Sequence, residues 1–314
     1  MIKQRTTLFF AMKARTIVTA LASLAIVATV NAQNGPFNWA GTQVARFAQG
    51  TEHVYISIDT PRALQINCVR VDSKGPGIAF RTTPRAKLWK VNIEETWRQT
   101  TRNYLVESRR QGENMVVAIN ADAFSPWPAP YDIPTATNIQ GLAIADGTLV
   151  SPPKGTPSLL IRKDGTLDMI ITDESTDITG VELAVSGFGF CLQNAEPIAT
   201  DDINHPRTGF GLSEDRRFLY LMTIDGRRHA SIGCAIKEVG EWLKYFGAHT
   251  GINMDGGGST TLVRWNAESE SAELLNHPVG DGQRWHEKPL EDEQQNYRPA
   301  ERANGNNFGV VISK

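Results

Sequence analysis

Between residues 54 and 80 apolar and polar positions alternate, with breaks at Pro61 and at Gly75-Pro76-Gly77. That period of two predicts strands. Residues 94–110 are polar and predict a helix that stops before Gly112, a residue suited to the position after a helix end. Residues 116–119 form an apolar run too short for a helix, so they predict a buried strand that carries Asn120 and Asp122 on one face at its end. Asp146-Gly147 and Asp164-Gly165 each lie between two apolar runs and predict hairpins. Residues 218–224 read as another buried strand. Ile236, Val239, Trp242, Leu243 and Phe246 then fall at helical spacing before Gly247, and residues 308–312 supply a closing strand. The sum is an α+β chain: a mixed, strand-rich sheet core with a few flanking helices and no repeat of fixed period.

The N-terminus changes the picture. Lys3, Arg5, Lys13 and Arg15 precede a short apolar run and then Val30-Asn31-Ala32, a small-residue pattern before Gln33. This layout predicts a secretory signal peptide over residues 1–32, cleaved after about Ala32, with Met12 as an alternative start. The other reading is an anchor helix, for which the apolar run is short. Removing residues 1–32 leaves 28 basic and 34 acidic residues, a net charge of −6. No later stretch is long and apolar enough to span a bilayer, so the expected product is secreted or periplasmic. An acidic balance argues against a nucleic-acid partner, and 40% hydrophobic residues argue against a disordered chain. Residues 33–314 then read as one domain, about 33–115 forming an N-terminal portion and about 116–314 a core. Cys68, Cys191 and Cys234 allow at most one disulfide, and the simpler reading is three buried small hydrophobes. The six histidines form no zinc pattern.

The sharpest local signal is Asp255-Gly256-Gly257-Gly258-Ser259-Thr260-Thr261. Three glycines weaken a regular element, so such a run suits unusual backbone angles or close approach to a ligand. Their amides can form an anion nest, with the hydroxyls as further donors; the plainer reading is a tight turn capped by Asp255. It is neither a Walker loop nor a dinucleotide fingerprint. In Arg207-Thr208-Gly209-Phe210-Gly211 the arginine fork suits phosphate or carboxylate, or is a surface charge. Asp122 and Asp255 stand at the ends of two apolar strands, where they would form a carboxylate pair for glycoside hydrolysis or oxygen ligands for a structural Ca²⁺. Glu238 lies one turn into the second predicted helix and is otherwise a solvated acid. Trp127 sits in a Pro-rich loop, where a sugar ring would stack, whereas Trp242 has core spacing.

In order, Val117-Ala118-Ile119-Asn120-x-Asp122-x-Phe124, Gly141-Leu142-Ala143, Arg207-Thr208-Gly209-Phe210-Gly211, Asp225-Gly226-Arg227, Ser231-x-Gly233 and the Asp255–Thr261 run resemble the phosphodiester glycosidase family. The resemblance spans residues 66–311, and only the Asp-Gly-Gly-Gly-Ser-Thr-Thr run after an amphipathic helix is specific by itself. It implies hydrolysis of the C1–O bond of a sugar-1-phosphodiester, GlcNAc-like, releasing free sugar and a phosphomonoester, with no required cofactor. On matching motif positions it implies Asp122, Asp255 and Glu238 as catalytic candidates. Asn120, Arg207, Thr208, Asp225, Gly256, Gly257, Gly258, Ser259 and Thr260 become candidates for substrate or phosphate binding. Asn276-x-Pro278 and Glu301-Arg302-x-x-x-Asn306 resemble the family's closing motif and add Arg302 as a phosphate ligand. Ala121 and Ala123 depart from the family pattern, and an insertion over 280–300 interrupts the closing motif. A glycosidase for phosphate-free glycans and a non-catalytic carbohydrate-binding protein remain alternatives.

Overall fold

A computed structural model describes residues 36–42, 44–126, 135–198, 201–280 and 300–313. The signal-peptide reading, Trp127 with most of its Pro-rich loop, and the inserted stretch 281–299 lie outside the described residues.

Every pairing between strands is antiparallel. The largest sheet has eight strands, with Leu64–Asp72, Phe218–Ile224, Arg207–Leu212 and Thr250–Asn253 adjacent at its centre. A five-stranded sheet places Met115–Asn120 between Leu262–Asn266 and Asn307–Ile312, with Ile78–Thr82 at its edge. A second five-stranded sheet contains Thr156–Arg162, Leu167–Thr172 and Val181–Ser186. Phe210, Leu221 and Ile252 of the first sheet, Ile119 and Phe308 of the second, and Leu159 and Val185 of the third share one apolar core. Three sheets therefore close on a single interior.

Two α-helices flank these sheets among the described residues, so the chain is mostly β and "a few flanking helices" overstates the helical part. The helix predicted over 94–110 begins only at Thr101 and runs Thr101–Arg110, which we call α1. The reason is local. Thr100 has extended dihedrals and its side chain accepts from the Asn103 amide at 3.2 Å, a helix N-cap. The residues before it bond elsewhere: Arg98 N donates to the Thr135 carbonyl (2.9 Å) and Gln99 N to the Asn304 carbonyl (3.1 Å). The helix Ile236–Phe246, called α2, occupies the predicted span and buries Val239, Trp242, Leu243 and Phe246 against the outer face of the eight-stranded sheet. The strand Arg207–Leu212 contributes Gly209 and Gly211 to that face, where a methyl would sit 2.8 Å from Val239 Cγ1 or 3.0 Å from Leu243 Cδ2. Those glycines let the helix approach the sheet.

Both predicted hairpins form. Asp146 and Gly147 have φ of 47° and 70°, as a two-residue turn between paired strands requires. Asp164-Gly165 turns between Thr156–Arg162 and Leu167–Thr172. All three cysteines are buried and free, matching the simpler reading, and Trp242 packs in the core with α2.

Candidate functional site

The strands Met115–Asn120, Val181–Ser186 and Thr250–Asn253 finish, and Arg207–Leu212 and Asn307–Ile312 begin, at one end of the shared core. Polar residues cluster where these strand ends meet. Asn120 is fully buried and ties three segments together. Its Nδ2 donates to the Asp255 carbonyl (2.7 Å), while its Oδ1 accepts from Thr208 Oγ1 (2.8 Å) and from the Thr261 amide (3.0 Å). Thr260 Oγ1 lies 3.5 Å from Thr208 Oγ1.

Asp122 falls beyond the strand, which ends at Asn120, so the simple alternation expected for the two residues stops there. Its Oδ1 accepts from the Ser186 amide (2.7 Å) and its Oδ2 from Asn306 Nδ2 (2.8 Å). Burial pushes its carboxyl well above the usual carboxylate range; the Ser186 and Asn306 donors oppose this, and the charge of Asp255 adds to it. The Asp255 amide donates to the Ala121 carbonyl at 3.0 Å, so the two carboxylate-bearing segments are backbone neighbours. Asp255 is 2% exposed, and its Oδ2 has no hydrogen-bond partner among the described residues. Burial raises its carboxyl to about 6, against the pull of a Ser259 hydrogen bond and the Arg302 charge.

The glycine run that follows is wound rather than open. Gly257–Ser259 form a single 3₁₀ turn, and Gly257 has φ +60°. The Gly257 amide donates to the Pro206 carbonyl (2.8 Å), Ser259 N to Gly256 O (3.1 Å) and Thr260 N to Gly257 O (3.3 Å). Of the three glycine amides, that of Gly257 is thus bonded within the fold. The glycines also leave room for arginines. A methyl on Gly257 would lie 3.1 Å from Arg227 Nη2, and one on Gly258 would meet the Gly280 carbonyl and lie 2.7 Å from Arg302 Nη2. Arg302 is buried and donates from Nη1 to Ser259 Oγ at 3.0 Å. Asn253 Oδ1, two residues before Asp255, and His205 Nδ1, beside the Pro206 whose carbonyl takes the Gly257 amide, also have no hydrogen-bond partner among the described residues.

Three further sequence candidates are engaged by other side chains. Arg207 donates from Nε to the Cys234 carbonyl (2.9 Å) and from Nη2 to Asp201 Oδ2 (2.9 Å) and the Ile203 carbonyl (2.8 Å). Asp201 also accepts from the Ile236 amide (3.1 Å), so this pair fastens the start of α2. Glu238 takes Arg62 Nη2 at 2.5 Å and the Ala235 amide at 3.0 Å, an ion pair plus a helix cap. Asp225 accepts from Asn276 Nδ2 (2.9 Å) and from the amide and Nδ1 of His277 (3.1 and 3.0 Å), holding that segment against Thr260. Sequence reasoning did not single out Ser186, Asn306 as a donor to Asp122, Asp201 or Arg227. Asn306 and Arg227 stood inside quoted motifs, whereas Ser186 and Asp201 carried no local signal. No group of three or more His, Cys, Asp and Glu side chains arranged for a metal ion occurs among the described residues.

A β-rich shell that brings two buried aspartates and arginine heads to one strand-end cluster has the parts of a hydrolase site for an anionic glycoside. The family profile described as phosphodiester glycosidase matches residues 113–308, more than half of the chain. The chain belongs to the phosphodiester glycosidase family. Among solved structures it is similar to the catalytic domain of zebrafish N-acetylglucosamine-1-phosphodiester alpha-N-acetylglucosaminidase auto-inhibited by its pro-peptide, at 20% identity and a TM-score of 0.59, covering 87% of each chain. A hypothetical protein from Synechocystis aligns at 11% identity and a TM-score of 0.54, over 84% of this chain and 62% of that one. A Burkholderia pseudomallei protein described as exported aligns at 12% identity and a TM-score of 0.51, over 79% and 74%. At these identities the likeness is one of fold. No curated protein matches the chain. No helix among the described residues is long and apolar enough to cross a membrane.

Proposed function

We propose that the chain is an exported hydrolase that cleaves the glycosidic C1–O bond of a GlcNAc-like sugar-1-phosphodiester. Water adds at C1, the C1–O bond breaks, and the products are free sugar, a phosphomonoester and one proton. The observation that carries this reading is the Asp255 carboxylate: buried, beside Asp122, with Oδ2 bonded to nothing among the described residues. A buried acceptor without a partner is costly and is retained where a reacting group will meet it. Asp255 is the nucleophile or the base for water in this reading, and Asp122, with both oxygens hydrogen-bonded, shapes the field at C1.

A phosphodiester is a weakly basic leaving group, so protonating it contributes little and charge stabilisation contributes most. Arg302, with its head at Ser259 and Gly258, is the first candidate for the phosphate, and Arg227 at Gly257 the second. Glu238 and Arg207 act in this reading through α2, as positioning residues. In this reading the step requires no metal, and a structural Ca²⁺ held by Asp122 and Asp255 is the alternative that the chelator arm below separates.

The test is release of GlcNAc from UDP-GlcNAc and from a methyl-phosphate diester of GlcNAc, by the full chain and by Asp255→Asn, with and without chelator. Expected is chelator-insensitive turnover that falls by roughly 10³ or more in the variant. Turnover undiminished in a folded Asp255→Asn protein, or cleavage of phosphate-free glycans alone, would overturn the reading.

A further inference from the structure

Seven large hydrophobic side chains are exposed among the described residues, and four of them fall within ten residues: Leu88 (73%), Val91 (40%), Ile93 (58%) and Trp97 (51%). Such clustering marks a surface built to meet something apolar. The segment is held outward by its own framework. Ala86 N donates to the Glu95 carbonyl (3.0 Å), and Lys90 and Glu94 exchange two backbone hydrogen bonds of 2.8 Å. Trp89 turns inward, its Nε1 donating to the Val150 carbonyl (2.8 Å) and its ring stacked under Arg85 at 3.5 Å. Glu95 is fully buried and accepts from the Asn92 amide (3.0 Å) and the Ile139 amide (2.7 Å). With Lys154 Nζ also 3.9 Å from its Oε2, this buried, paired carboxylate fixes a turn whose apolar residues point to solvent.

Charge narrows the occupant. Residues 84–97 hold Arg85, Lys87 and Lys90 against Glu94 and the buried Glu95, a basic excess in a chain that carries more acids than bases overall. Lys87 and Lys90 are exposed beside Leu88 and Val91. Exposed Leu88, Val91 and Ile93 interleaved with Lys87 and Lys90 have the composition that sits at an anionic lipid interface, where the apolar groups enter the headgroup boundary and the cations meet lipid phosphates. The segment is also close to the candidate site: Thr96 Oγ1 donates to the Gly305 carbonyl at 2.7 Å, next to Asn306, which holds Asp122.

We infer that the turn at residues 87–93 docks this protein onto an anionic lipid bilayer surface. The three native cysteines are buried, so a thiol introduced by Leu88→Cys is the one that takes an environment-sensitive fluorophore. With the full chain, vesicles of phosphatidylglycerol in phosphatidylcholine are expected to blue-shift and brighten that label. Pure phosphatidylcholine should do so at least about tenfold more weakly, and added salt or the pair Lys87→Glu and Lys90→Glu should reverse the change. A label at the exposed Glu174→Cys should not respond, whichever way the N-terminal residues bind. No response to anionic vesicles at residue 88, or an equal response at residue 174, overturns the inference. A shift that appears without lipid as protein concentration rises overturns it too, because the surface then joins two copies of the chain.

Discussion

The side-chain amide of Asn120 donates to the main-chain carbonyl of Asp255 across 2.7 Å, joining two strand ends 135 residues apart in sequence. The same side chain takes Thr208 and the Thr261 amide on its oxygen, so one buried asparagine locks the strand from the five-stranded sheet to two segments of the eight-stranded sheet. Asp255 is therefore positioned through its backbone, while its Oδ2 has no hydrogen-bond partner among the described residues.

Asn120→Ala should leave the Asp255 carbonyl and the Thr261 amide buried without partners. Each such loss costs about 1–3 kcal/mol, so the variant should unfold at markedly lower urea with roughly 3 kcal/mol less stability. Activity should fall further than stability explains at temperatures where the variant is folded. An unfolding midpoint equal to that of the parent would refute the locking role.

Asp255 ties pH to both rate and stability. Its carboxyl rises from 3.8 to about 6 on folding, because burial disfavours the charge. The folded state therefore binds the proton more tightly than the unfolded state does. The penalty is absent below about pH 4, grows as pH rises, and is complete above about 6, where it reaches about 3 kcal/mol. Asp255→Asn should thus be more stable than the parent at pH 8 and no more stable at pH 4, measured by urea unfolding. The parent's kcat/KM should rise through about pH 6 as the carboxylate ionises.

Gly258→Ala puts a methyl against the Gly280 carbonyl and 2.7 Å from Arg302 Nη2. The backbone contact cannot rotate away, so the 3₁₀ turn or the arginine must move. If Arg302 holds the phosphate as proposed, a KM for the sugar phosphodiester raised at least about tenfold is expected, with less effect on kcat. Unchanged steady-state constants would remove Arg302 from the phosphate site.

The thiols should be silent. Burial pushes Cys191 up to about 12 and Cys68 and Cys234 well above the ordinary thiol range, and none is paired. Ellman's reagent should find no fast-reacting thiol in the native protein and three after denaturation, and reductant should leave the melting temperature unchanged. Rapid reaction in the native state would mean that a cysteine is exposed.

Much of the framework was legible in the sequence because its causes are local. Asp146-Gly147 has the dihedral tolerance that a two-residue turn demands, and the Ile236–Phe246 stripe has the period of a helix buried on one side. The carboxylates at 122 and 255 could be read as a pair because both follow short apolar strands. The helix boundary at Thr101 could not, since residues 94–99 are recruited by strands around 135–139 and by Asn304, distant partners that override a polar stretch.

Chain order thus determined which segments become strands, where they turn, and which motif carries the family likeness, all set by neighbours a few residues apart. Only the tertiary structure decided what each polar residue faces. It gave Arg207 to Asp201, Glu238 to Arg62 and Asp225 to His277. It wound the glycine run into a 3₁₀ turn beside two arginines, and it left Asp255 Oδ2 buried with no hydrogen-bond partner among the described residues. The physical reason is that strand propensity and turn chemistry act along the chain, whereas burial, desolvation and charge pairing depend on groups that only folding brings together.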